Sequence, residues 1–202
     1  MENKLILASN SPRRKELLSS IGLELEIVPA DVDETFIVGN TAAEEASRLS
    51  LAKADKIASE FPGRFVLAAD TIVAIGDKLL AKPEDEAESV AMLESLQGRT
   101  HSVVTGCAIV SSSPKSQNVF HVETKVTFKS SSKEELLSYS RSGDPFDKAG
   151  GYGIQGVGAF LIASIDGSYT NVVGLPLAEV TDVLLTLGVW SPGLLSNSPL
   201  SS

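Results

Sequence analysis

Cysteine is nearly absent. Cys107 stands alone among 202 residues, so no internal disulfide can form and a zinc site built on several cysteines is excluded. Histidine is almost as scarce, and His101 and His121 are too few for a multi-histidine metal centre. A positive excess is also lacking. Lys plus Arg is 17 against 26 Asp plus Glu, a formal charge of −9, with a sequence pI near 4.7. Such a surface repels nucleic acid and anionic membranes, so any anionic ligand must be held by a local cluster of cations. Long apolar runs are missing too. Leu5-Ile6-Leu7-Ala8 is too short for a secretory leader, and later apolar stretches are interrupted by Asp70 or diluted by glycine. What remains is 43% hydrophobic and 21% charged, an ordinary globular mixture. The expectation is a cytoplasmic protein with no membrane or nucleic-acid partner: one domain over residues 1–190 and a Ser/Pro-rich tail over 191–202.

Hydrophobic periodicity places strands at 4–8, 23–28, 65–75, 101–111, 119–129 and 159–165. Helices are expected at 12–21, capped by Ser11, and from the capping box Thr41-Ala42-Ala43-Glu44 to about Glu60. Further helices are expected from Pro83 to Gly98, over 132–141 and over 175–187. A loop over Ser111–Asn118 separates the two long β-like runs. Strands alternating with helices argue for an α/β domain, and the adjacent runs over 101–129 argue for a mixed sheet.

Four features stand outside this ordinary pattern. Arg13, Arg14 and Lys15 crowd the first turn of a helix, where the dipole already supplies positive charge and acids are preferred. A strand, a short loop and a helix N-terminus also present N–H groups to phosphate, so an anion site competes with a basic surface turn paired to acids. Asp70 interrupts the buried run Val66–Ile75; a carboxylate there must be paired, metal-bound or open to a cleft, in a catalytic or a structural role. Asp31, Asp33 and Glu34 form an acidic loop that reads as a solvated turn or as oxygen ligands for Mg²⁺ or Mn²⁺. Lys53 breaks the Ala46, Leu49, Ile57 face of its helix, and Lys82 precedes Pro83; either alone suits a lysine that snorkels to solvent. Finally, Gly151-x-Gly153-x-x-Gly156 matches the dinucleotide-binding spacing but neither follows a clear strand nor opens a helix, so a Rossmann site is rejected. Among those glycines, the Gln155 amide both donates and accepts and suits a nucleobase edge.

Taken together, Leu7-Ala8-Ser9-Asn10-Ser11-Pro12-Arg13-Arg14, Ala68-Ala69-Asp70-Thr71, Lys82-Pro83, the run Asp147–Gly156 and Gly167–Leu177 resemble the Maf family of nucleotide pyrophosphatases. The likeness runs in order from residue 4 to 189, with Gly151 where family members often carry Ala. The resemblance implies an α/β, two-lobed molecule similar to the inosine-triphosphate pyrophosphatases, with a cleft around an elongated mixed sheet. It also implies a homodimer, a Mg²⁺ or Mn²⁺ cofactor, and hydrolysis of dTTP and UTP to monophosphate and pyrophosphate. Asp70 matches the proton acceptor, and Arg13, Thr71 and Gln155 match the positions that separate the pyrimidine-triphosphate branch from the methylated-guanine branch. Ser9, Arg14, Glu34, Lys53 and Lys82 are their companions.

The residues themselves fit such chemistry. Arg13, Arg14, Lys53 and Lys82 can offset a triphosphate, and a metal on Asp70 or Glu34 would polarise the phosphoryl group while a carboxylate activates water. Which carboxylate does which stays open at this level. The other reading is a non-catalytic nucleotide-binding regulator of cell division. Intact Asp70 beside a full set of cations favours the enzyme.

Overall fold

The computed structural model describes residues 5–193; the part of the expected tail from residue 194 onward lies outside the described residues. Seven strands form one sheet: β1 (Leu5–Leu7), β2 (Leu25–Ile27), β3 (Val66–Ile75), β4 (Lys78–Leu80), β5 (Thr100–Ser112), β6 (Lys115–Phe128) and β7 (Ile162–Asp166). Their order is β2-β1-β3-β5-β6-β7, with β4 paired to β3. β1 runs parallel to β2 and β3, and all other pairs are antiparallel. The α/β class and the mixed sheet are as expected.

The helices are α1 (Pro12–Ser20), α2 (Ala42–Glu60), α3 (Glu86–Leu96), α4 (Lys133–Ser140), α5 (Tyr169–Val173) and α6 (Leu177–Thr186). The Thr41–Glu44 capping box forms in full at the start of α2. Elsewhere local chemistry moves the boundaries. α3 starts at Glu86 rather than Pro83, because the Asp85 carboxylate accepts the Glu88 N–H at 2.8 Å and so sets the cap. The Ser111–Asn118 loop is much tighter than expected: Ser112 pairs with Lys115, so only Ser113 and Pro114 turn the hairpin. Residues 159–161 belong to a 3-10 turn (Gly156–Leu161), and β7 begins after it. β4 and α5 span three and five residues, too few for periodicity to announce them.

Apart from Asp70 and Thr71, β3 is apolar because both faces are covered. Val66 and Ala68 pack under Ala54, Ile57 and Ala58 of α2, and Ile72 and Ala74 pack near Ala42 and Ala46. On the other face, Leu67 and Ala69 meet α1 and α6, while Val73 and Ile75 meet α3 and α4. Each face therefore changes cluster midway along the strand. Asp70 lies at the changeover on one face and Thr71 at the changeover on the other. This gap between packed groups is where the strand can carry polar side chains.

The cluster beneath α3 and α4 also contains a buried histidine. His101 Nε2 lies 2.7 Å from the Tyr152 hydroxyl, with the Phe128 ring 5.0 Å away, while Nδ1 is buried without a partner. Burial pulls the imidazole down from 6.5 to about 4. The unfolded chain then takes up a proton between those values that the folded chain refuses, so stability falls as pH drops through that window. The loss attributable to His101 is about 3 kcal/mol. Urea unfolding of wild type and His101→Gln from neutral pH down to pH ~4.5 should show a steeper decline in the wild type. Equal slopes would mean that His101 is charged in the folded protein.

Candidate active site

The changeover on β3 opens into a cleft of about 550 Å³. Lys53 is its organising cation. It sits on the buried stripe of α2 with Ala46, Leu49 and Ile57, only 7% exposed, and so does not snorkel to solvent. Its ammonium reaches Asp70 Oδ1 at 2.5 Å and Glu34 Oε1 at 2.6 Å. A close approach of helix to sheet makes this reach possible: the residue paired with Asp70 on β5 is Gly106, where a Cβ would lie 2.3 Å from the backbone of Ala46. Burial raises the Glu34 carboxyl, but the Lys53 hydrogen bond and the charges of Lys53, Lys82 and Arg14 outweigh it and hold the group below its ordinary value.

Arg14 also lines the cleft, bonded to Thr71, the neighbour of Asp70 on β3. Its Nε donates to the Gly174 carbonyl at 2.8 Å, one terminal nitrogen donates to Ser9 Oγ at 3.1 Å and the other to Thr71 Oγ1 at 3.2 Å. Three of five guanidinium hydrogens are thereby spent on neutral acceptors, and one on each terminal nitrogen remains. Burial lowers Arg14 from its ordinary value, with Asp70 and Glu34 opposing that shift from a distance. Among the described residues no carboxylate pairs with it. Ser11 caps α1 by accepting the Arg14 N–H at 3.4 Å, so the cationic helix start is formed as read, with no acid in its first turn.

Arg13 is placed differently. It pairs with Asp147 at 3.1 Å, from the loop that follows α4, and Lys148 holds the other oxygen of Asp147 at 2.6 Å. Burial raises the Asp147 carboxyl, but the hydrogen bonds from Lys148 and Arg13 overcome it and hold the group low. Of the two readings of the basic turn, Arg13 thus shows the acid-paired one and Arg14 the unpaired one. Lys82 and Gln155 are exposed residues on the cleft wall. The cleft accordingly gathers Ser9, Arg13, Arg14, Glu34, Lys53, Asp70, Thr71, Lys82 and Gln155. Asp31 and Asp33 lie outside its lining.

The same span of chain matches a known family from end to end: the family model described as Maf-like protein covers residues 4–187. The chain belongs to the Maf family. It is 47% identical over 188 residues to a protein of Myxococcus xanthus named dTTP/UTP pyrophosphatase, covering 93% of this chain and 94% of that one. Proteins of the same name from Geotalea uraniireducens (46% identical; 93% and 96% covered) and Citrifermentans bemidjiense (47%; 92% and 96%) are similarly close. Among solved structures, the Staphylococcus aureus Ham1 protein matches with 19% identity and a TM-score of 0.49, covering 79% of each chain.

Several side chains of this Maf protein's cleft region carried no signal in the sequence. Asp147 and Lys148 belong to the run that carries the family likeness, but nothing in it announces their ion pairs with Arg13 and with each other. Glu45, fully buried in α2, accepts from the Ile37 N–H at 3.1 Å and the Asn40 amide at 2.6 Å, and pairs with Arg48 at 2.6 Å. Arg48 in turn holds the Thr35 carbonyl at 3.0 Å, so the pair ties down the loop that carries Glu34. A glutamate in the first turn of a helix looks like ordinary dipole chemistry, which hides this role. Among the described residues no group of three or more His, Cys, Asp or Glu side chains is arranged to hold a metal. The convergent oxygens of Glu34 and Asp70, already gathered around one cation, are a hard donor pair of the kind Mg²⁺ or Mn²⁺ takes when phosphates and water complete its shell.

Proposed function

We propose that this Maf protein hydrolyses dTTP and UTP to the monophosphate and pyrophosphate. One observation carries the reading: Lys53 gathers Asp70 and Glu34 in a cleft that is also lined by Arg14, which no acid among the described residues neutralises. The names of the similar proteins support the substrate class. Arg14, Lys82, the third ammonium hydrogen of Lys53 and Arg13, once it leaves Asp147, supply donors for the triphosphate.

Among the described residues Asp70 Oδ1 binds Lys53 and Oδ2 makes no hydrogen bond, so Oδ2 takes the proton of the attacking water. Water attacks the α-phosphorus, the bond from it to the bridging oxygen of the β-phosphate breaks, and pyrophosphate departs against the cationic wall. Glu34 and Asp70 are the residues that would hold Mg²⁺ or Mn²⁺, whose contribution there is to offset phosphate charge and polarise the phosphoryl group. Gln155 donates to a pyrimidine carbonyl and accepts from N3–H, which both uracil and thymine offer. The reading includes a cytoplasmic homodimer; among the described residues no helix is long and apolar enough to cross a membrane.

A pyrophosphate-release panel with Mn²⁺ tests it. dTTP and UTP should lead in kcat/KM, with CTP and the purine triphosphates behind by roughly 2- to 13-fold, the ~0.5–1.5 kcal/mol worth of a hydrogen bond to an exposed amide. Faster hydrolysis of a purine triphosphate would overturn the pyrimidine assignment. Binding of dTTP without turnover would overturn the enzymatic reading in favour of a nucleotide-binding regulator.

A further inference from the structure

We propose that Thr105 is a positioning residue that aims Arg14 at the triphosphate; the inference rests on the substrate-binding role given to Arg14 above. Thr105 is fully buried on β5 and is the register partner of Thr71 on β3. Its hydroxyl donates to the Asn171 carbonyl at 3.1 Å, and a carbonyl can only accept, so its single proton is spent there. The Thr71–Thr105 contact, 2.9 Å between hydroxyl oxygens, therefore has one polarity: Thr71 donates and Thr105 accepts. With its own proton committed, Thr71 can offer Arg14 only lone pairs, which a guanidinium requires, because it has no acceptor. The order Arg14 to Thr71 to Thr105 to Asn171 is thus set from its buried end.

Without the Thr105 hydroxyl, the Thr71 proton loses its acceptor and can turn toward the Arg14 N–H, setting donor against donor. Ser9 and the Gly174 carbonyl still hold the other two nitrogens, so Arg14 keeps its place but loses the bond that orients its outer edge. The Asn171 carbonyl also accepts the Gly174 N–H at 2.9 Å, so it is not left unpaired. Thr105→Val, which keeps the side-chain shape, is for that reason expected to fold.

The test compares Thr105→Val with Thr105→Ser, by dTTP kinetics and by calorimetry with inorganic tripolyphosphate. Val should raise KM about tenfold, equivalent to ~1.4 kcal/mol, with kcat changed less than about twofold. Tripolyphosphate affinity should weaken by the same factor, and Ser should restore both. A residue that only packs would give the reverse ranking, since Ser loses the methyl group and Val keeps the volume. That ranking, or a Val variant matching wild type, overturns the proposal. If wild type bound tripolyphosphate but did not hydrolyse dTTP, the function above would fail while the Val and Ser ranking still decided the role of Thr105. No tripolyphosphate binding by wild type would overturn the role of Arg14 and this inference with it.

Discussion

Asp70→Asn is expected to leave the protein folded and to lower turnover by roughly 10²–10⁴-fold. The amide oxygen can still accept from Lys53, as Asp70 Oδ1 does at 2.5 Å, and Glu34 still neutralises that ammonium at 2.6 Å. Folding therefore loses little. What disappears is the second carboxylate oxygen: in its place stands an NH₂ group, which cannot take a proton from water. Pyrophosphate release measures the first effect and urea unfolding the second. Near-normal turnover in a normally folded variant would remove Asp70 from the role of proton acceptor.

Gly106→Ala should act through geometry instead. A Cβ at this position would meet the carbonyl carbon and oxygen of Ala46 at 2.3 Å and the Ser47 nitrogen at 2.6 Å. All three are backbone atoms, so no rotamer change relieves the contact and α2 must move away from the sheet. Lys53 moves with it, two turns further along the same helix, and its hold on Asp70 and Glu34 is broken or stretched. Overpacking of this kind costs about 2–3 kcal/mol. A displacement of about 1 Å in a catalytic group is worth on the order of 10²-fold in kcat/KM. Unfolding and kinetic measurements on one variant check both numbers. An unchanged stability would show that sheet and helix are not in this close contact.

Part of the candidate site was legible because three of its residues break a local rule. Arg14 occupies a helix position that favours acids, Asp70 sits in an apolar strand, and Lys53 interrupts an apolar stripe. None of these placements favours folding in isolation, and that is what made them visible. Glu45 and Thr105 break no such rule. A glutamate near a helix start and a threonine in a strand are where propensity puts them, and only their buried partners distinguish them. The displaced start of α3 has the same origin: the Asp85 carboxylate sets the cap through a single hydrogen bond to the Glu88 N–H, which the pattern of apolar residues does not register.

By itself the sequence determined the α/β class, the start and length of α2, the buried course of β3 and a cluster of cations at the start of α1 in an acidic protein. These rest on short-range physics, namely periodicity, caps and charge placed against a helix dipole. Tertiary structure alone decided that Arg13 pairs with Asp147, 134 residues away, while Arg14 has no acid partner among the described residues. It also decided that Lys53 joins Glu34 to Asp70, and that Thr71 faces Thr105 rather than its neighbour on β5. Such contacts depend on strand register and on how closely a helix seats against the sheet. A one-residue slip would send Asp70 to the face now held by Thr71, and the period of two along β3 is satisfied equally by either register because both faces are apolar.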